Sequence, residues 1–258
     1  PVTQALLATK FTWGVTALGA LVVCFFKEVN SKILNTILGF SAGVMIAAAF
    51  WSLLEPSIDL SQELGYIAWA LPAIGFITGG LFVLISDKFL DKMLKNRKSI
   101  GGKGSLKRSI LLIAAITIHN IPEGMAVGVA FGGIASGVPG MTLIGAVMLA
   151  LGIGIQNFPE GAIISMPLCG EGMSKKKAFI CGVLSGVVEP VGGFITILIA
   201  GIITPVLPYL LSFAAGAMMY VVIEELIPES QNGEHSNIGT IGAAVGFALM
   251  MVLDIALG

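Results

Sequence analysis

Charge is what this sequence has least of. Only 11% of its 258 residues are Asp, Glu, Lys or Arg, where a soluble domain carries about 25%. With so few charges and 56% apolar residues, and a mean hydropathy of +0.96, the chain reads as an integral membrane protein. Cysteine is scarce too: Cys24, Cys169 and Cys181 form no CxxC, which excludes a zinc ribbon and a disulfide framework. There are two histidines, His119 and His235, and no HExxH. "HNIPE" puts its acid at the wrong offset for a zinc protease, and His235 sits in a loop, so no nucleophile–histidine pair is indicated. The usual signatures of an intramembrane enzyme are therefore missing. Nothing suggests a nucleic-acid surface; the net charge of −1 says little, because the charges are sorted by position. No cleavable leader is evident, since the first apolar run is interrupted only by Lys10 and continues to Phe26. The chain starts at Pro1 rather than Met, so residues before it are expected.

What is present is a series of long apolar runs. A spanning helix needs about 20 mostly apolar residues, and eight stretches qualify: 5–26, 33–54, 66–86, 109–131, 141–168, 178–203, 208–227 and 238–257. The fold class expected is an all-α membrane protein of eight transmembrane helices forming one transporter-sized domain over 1–258. Thirty-four glycines suit helices that pack closely through small residues. Connections are short except 87–108, a basic stretch with little helical pattern past Asn96 that reads as a flexible loop. Thirteen of the fourteen Lys and Arg fall between spans one and two, three and four, or five and six. Positive residues stay cytoplasmic, so both termini are expected outside and 87–108 inside.

The eight-span reading has internal support. "FSAGVMIAAAFWSLLEPS" (40–57, span two) aligns without gaps to "FAAGAMMYVVIEELIPES" (213–230, span seven), and "AIGF" (73–76) in span three echoes "AVGF" (244–247) in span eight. Spans two and seven run in opposite directions in this topology. An inverted repeat of spans 1–3 against 6–8 around the central pair 4–5 is expected, a signature of secondary transporters.

The chemistry concentrates in that central pair. "HNIPEG" (119–124) and "QNFPEG" (156–161) repeat one spacing. His119 and Glu123 are four apart and share a helix face, as do Gln156 and Glu160; Asn120 and Asn157 sit on the neighbouring face. Carboxylates, an imidazole and amide oxygens all donate electron pairs, and a metal cation unites them. Pro122 and Pro159 each free a carbonyl one turn back, and Gly124 and Gly161 admit a neighbouring helix. Glu189, also followed by a proline, forms a third polar island in "VVEPVGG", and Met45 in span two offers a thioether. The bland alternative is that these groups are structural glue. An acidic residue at mid-membrane costs roughly 2.5–3.5 kcal/mol. Three unpaired glutamates would cost on the order of 8–10 kcal/mol, comparable to the stability of a typical domain. Packing alone does not account for all three, although the asparagines as glue and Met45 as core filler stay open.

These motifs resemble the helix-four, helix-five and helix-six motifs of the ZIP (Zrt-, Irt-like protein) family of metal transporters, and the likeness runs along the whole chain. The compact length and "FSAGVM" are similar to its bacterial GufA-like branch. The resemblance implies transport of divalent transition metals into the cytoplasm across the cell membrane. Zn²⁺ comes first, with Cd²⁺, Fe²⁺ or Mn²⁺ as further cargo, and two ions share one site. It assigns His119, Glu123, Gln156, Glu160 and Met45 to one ion. Asn120, Asn157 and Glu189 go to the other, and Glu123 and Glu160 bridge. It places Asp59 and Asp254 at the outer entrance, and Glu225 with Glu224 and Asp87 at the inner exit. It also implies an elevator-like motion of spans one, four, five and six against the rest, and it is compatible with a homodimer. Partners are then the metal ions and the lipid bilayer.

The chain departs from the family pattern at Gln156 and Glu224, where many zinc-carrying members have histidine, and its long loop lacks a histidine cluster. An amide-rich site is harder and accepts manganese or iron more readily. Two divalent ions bring +4 and three glutamates −3, so the filled site is near neutrality. Three carboxylates close together in low dielectric do not all stay ionised, so protons are expected to replace departing metal as a coupled set. A channel or an exporter using the same site stays open at this level.

Overall fold

A backbone inside hydrocarbon has to satisfy its own N–H and C=O groups, and every regular element among the described residues is helical. The computed structural model describes residues 2–25, 31–96, 104–138, 141–170, 172–202, 204–231 and 236–257. Side chains of 90, 91, 93–96, 104–112, 114–116, 118, 119, 167, 170, 200–202, 204, 236 and 257 fall outside that description. In chain order the helices are α1 (Val2–Phe25), α2 (Ser31–Ala48), α3 (Glu55–Glu63), α4 (Ala70–Asn96), α5 (Gly104–Ala135), α6 (Leu143–Gly170), α7 (Lys175–Ser185), α8 (Val188–Ile202), α9 (Leu207–Val221), α10 (Ile227–Ser230) and α11 (Ser236–Leu257).

Seven spans long and apolar enough to cross a membrane lie among the described residues. They match expected spans one, two, three, five, six, seven and eight. The expected fourth, 109–131, falls within α5, a 32-residue helix that is described only in part. Of the basic segment expected as a flexible loop, 87–96 and 104–108 are helical, and 97–103 lie outside the described residues. The helix of α4 continues to Asn96 and α5 begins at Gly104. A helix that runs on in this way keeps its backbone groups satisfied.

Two spans contain a π turn, Ala49–Leu54 between α2 and α3 and Val222–Leu226 between α9 and α10. In each, the residue after the turn donates its N–H five residues back, Glu55 to the Phe50 carbonyl and Ile227 to the Val222 carbonyl. The next residue is a proline, Pro56 or Pro228. Proline lacks the N–H and its ring collides with the carbonyl four residues back; widening the turn relieves that collision.

Span six corrects the expectation of one helix over 178–203. It is two half-helices, α7 and α8, separated at Gly186 and Val187. Gly186 ends α7, and Pro190 stands in the first turn of α8, where a missing N–H costs nothing. Glu189 is thus at the start of a half-helix, near the middle of the span Lys175–Ile199.

Four helix pairs dominate the packing: α1 with α6, α5 with α8, α2 with α11, and α4 with α9. Exchanging spans 1–3 with 6–8, and span four with five, turns the first pair into the second and the third into the fourth. The repeat seen in the sequence is therefore obeyed by the packing. Gly43 of α2 lies against the backbone of Ala243 and Phe247, and its counterpart Gly216 of α9 against the backbone of Phe76. A side chain at either glycine would collide with the facing helix.

Candidate metal centre

The two central motifs stay helical through their prolines, α5 through Pro122 and α6 through Pro159. Their glycines do what the sequence suggests. Gly124 meets the backbone of Glu189 and Gly161 meets the Thr16 carbonyl, so α8 and α1 press directly onto the polar faces of α5 and α6. The result is a closed interior. Asn120, Gln156, Asn157 and Glu189 are 0% exposed, Glu123 1% and Glu160 6%.

Every side-chain amide in this interior has its nitrogen end tied. Gln156 Nε2 donates to Glu123 Oε1 at 2.8 Å. Asn157 Nδ2 donates to Glu189 Oε2 at 2.8 Å and lies 3.4 Å from the Thr12 carbonyl. Asn120 Nδ2 donates to the Ser185 carbonyl at 3.1 Å, one of the acceptors that the break in span six sets free. With their nitrogens so used, the oxygens of all three amides are fixed in direction. Asn120 Oδ1, Gln156 Oε1 and Asn157 Oδ1 have no hydrogen-bond partner, and neither do Glu123 Oε2 and Glu160 Oε2. Five buried acceptors without a donor are costly when left alone, about 1–3 kcal/mol each for neutral groups and more for carboxylates. A group that supplies only positive charge, with no need to accept, matches them all; that is a cation. Among the described residues no three His, Cys, Asp or Glu side chains gather to hold a metal; the amide oxygens of Asn120, Gln156 and Asn157 make up the larger part of the unpartnered set. Amide and carboxylate oxygens are hard ligands.

The other expected site residues are distributed as follows. His119 is on α5, but its side chain lies outside the described residues. Met45 is 1% exposed within the apolar core with Val44, Ala126, Ile153 and Met218. Asp254 on α11 receives a hydrogen bond from Ser52 at 2.7 Å, while its Oδ2 has no partner. It lines a cavity of about 450 Å³ together with Ser52, Glu55, Pro56, Met141 and Thr142. Asp59, one turn further on α3, is exposed and outside that lining. Glu224 is exposed and Glu225 half-buried, both on the second π turn, and Asp87 is half-buried on α4. All three act electrostatically on Tyr220.

Sequence reasoning missed Glu55, the second carboxylate of that cavity, and the threonines of span one. Thr9, Thr12 and Thr16 are all 0% exposed, and Thr16 Oγ1 donates to Glu189 Oε1 at 3.2 Å. Their spacing of three and four puts them on one helix face, a signal that was present in the first apolar run.

Fold and site together define a multi-pass helical membrane protein with a buried polar centre in which five oxygens lack a donor. Comparison with known proteins makes the class specific. A family model described as "ZIP Zinc transporter" matches residues 96–254, and the chain belongs to that family. It is 39% identical to zinc transporter ZIP11 of Xenopus tropicalis, over 100% of this chain and 98% of the relative. It is 36% identical to zinc transporter GufA of Myxococcus xanthus, over 98% of each, and 35% identical to zinc transporter ZIPB of Bordetella bronchiseptica, over 98% of this chain and 81% of the relative. Family and relatives are named as transporters, not as enzymes.

Proposed function

We propose that this protein carries divalent metal ions, zinc foremost, across the cell membrane into the cytoplasm through the centre between α5 and α6. The observation that carries the reading is the set of five buried oxygens without a hydrogen-bond donor. The relatives' names supply the cargo class. The whole chain acts as one transporter unit, with α5 as the fourth of eight spans and both termini outside.

Two ions share the centre. His119, Glu123, Gln156, Glu160 and Met45 serve one; Asn120, Asn157 and Glu189 serve the other, with Glu123 and Glu160 bridging. The tied nitrogens of Gln156 and Asn157 support this, because they aim both amide oxygens inward before metal arrives. Asp59 and Asp254 serve entry, and Glu224, Glu225 and Asp87 exit. The pairing of helices supports an elevator-like motion. α1, α5, α6, α7 and α8 form one bundle around the metal centre, while α2, α4, α9 and α11 pair among themselves. Cadmium, iron and manganese are further cargo of the same hard donor set, and a homodimer is compatible with it.

Uptake of isotopic zinc into vesicles, with competition by Cd²⁺, Fe²⁺ and Mn²⁺, tests the reading. Saturable zinc uptake that the others depress supports it; uptake linear with concentration contradicts it. Protons compete with metal for His119 and the carboxylates, so zinc affinity falls between about pH 8 and pH 5. A flat profile across that range removes the proton exchange.

A further inference from the structure

Thr16 belongs to none of the motifs that mark the metal centre, yet its hydroxyl reaches into it. The residue is 0% exposed. Its Oγ1 donates to Glu189 Oε1 at 3.2 Å, with the Thr12 carbonyl 3.3 Å away as the competing acceptor. The other oxygen of Glu189 receives Asn157, so Thr16 of α1, with the Thr12 hydroxyl beside it, and Asn157 of α6 hold the carboxylate from two sides.

The repeat explains why a span-one residue arrives there. Thr16 precedes Glu189 by 173 positions, the interval that also separates Gly43 from Gly216. Packing follows the same correspondence. Gly161 lies against Thr16 as Gly124 lies against Glu189, and Gly19 lies against Phe158 as Gly192 lies against Ile121. Asn157 reaches the Thr12 carbonyl as Asn120 reaches that of Ser185, and Thr12 precedes Ser185 by the same 173 positions. Thr16 is the first-half counterpart of Glu189, and the two halves of the repeat meet as hydroxyl and carboxylate.

We propose that Thr16 is a positioning residue for the second metal ion, fixing the Glu189 carboxylate so that its remaining lone pairs face the cargo. A carboxylate oxygen that accepts one hydrogen bond keeps a further acceptor site for a cation. Partners that orient a metal ligand in this way are worth about 10–100-fold in metal affinity. The proposal rests on the metal-transport reading above.

The test is a zinc titration of purified protein in detergent, following both ions. Thr16→Val keeps the branched shape and loses the hydroxyl. It weakens the second zinc about tenfold and leaves the first within about twofold, and Thr16→Ser restores the second. In a Glu189→Gln background the same Thr16→Val change adds nothing, because the partner it positions is gone. Thr16→Ala, read the same way, replaces Thr16→Val should the latter fail to accumulate. Unchanged affinity for both ions, equal weakening of both, or additive loss with Glu189→Gln overturns the proposal. Glu160→Ala in the same titration separates the two levels. If it binds zinc normally, the metal centre itself is wrong. If it loses zinc while Thr16→Val binds normally, only the role of Thr16 falls.

Discussion

Spans one and six occupy equivalent places in the repeat and are built differently. α1 runs unbroken from Val2 to Phe25, whereas span six stops at Ser185 and restarts at Val188. Where span six has Gly186, Glu189 and Pro190, span one has Trp13, Thr16 and Ala17. The two stretches also lean on each other. The Trp13 indole N–H donates to the Val183 carbonyl at 2.7 Å, next to the break. A side-chain carbon added at Gly186 would come within 2.8 Å of the Trp13 ring and 2.9 Å of Glu189 Oε1. The difference teaches how a symmetric scaffold comes to hold an asymmetric charge. The carboxylate stands where a helix begins, with the favourable end of its dipole. The neutral hydroxyl stands where the helix is continuous, and it serves the carboxylate.

The comparison breaks hardest at the acids. In the proposed two-ion arrangement Glu123 and Glu160 bridge, so Glu160→Ala or Glu123→Ala is expected to take zinc uptake by vesicles to background. Next comes an attempt to give span one the break of span six. Ala17→Pro puts the ring in mid-helix, where it costs about 3 kcal/mol. The melting temperature of the purified protein drops and uptake falls with it. An unchanged melting curve would mean that α1 tolerates the break as span six does. Asn120→Ala is expected to be milder, because in the proposed centre it serves one ion only, besides donating to the Ser185 carbonyl. Uptake persists, with KM raised about tenfold. The smallest effect is expected from Trp13→Phe, which keeps the ring and leaves the Val183 carbonyl without its donor, at about 1–3 kcal/mol of stability. Uptake at saturating zinc stays within about twofold.

Much of this was legible in the sequence because the relevant signals are local or repeated. Polar residues four apart in an apolar helix fix a shared face whatever surrounds them, so Glu123, Gln156 and Glu160 could be grouped at once. Spans two and seven, and three and eight, match by residue identity. Spans one and six share little beyond Ala5 with Ala178, Val15 with Val188 and Gly19 with Gly192, so that third of the repeat emerges only from packing. The role of Thr16 depends on a contact between residues 173 apart, for which a threonine in a greasy helix gives no warning; such hydroxyls ordinarily bond their own backbone. The break in span six was hidden by hydropathy, which runs evenly across Gly186, although Glu-Pro is a helix-start signature when read for geometry. The π turns were announced by Pro56 and Pro228, but proline alone does not say whether a helix will bend, stop or widen. Glu55 and Asp254 come from spans distant in sequence, and only the fold makes them walls of one cavity.

Five buried oxygens without a hydrogen-bond donor are the basis for placing a cation in this centre. Metal analysis of the purified protein, equilibrated with zinc and freed of excess by gel filtration, tests that most directly. About two zinc ions per chain are expected in the natural protein and none in the Glu123→Ala/Glu160→Ala double variant. Equal zinc in both would contradict it.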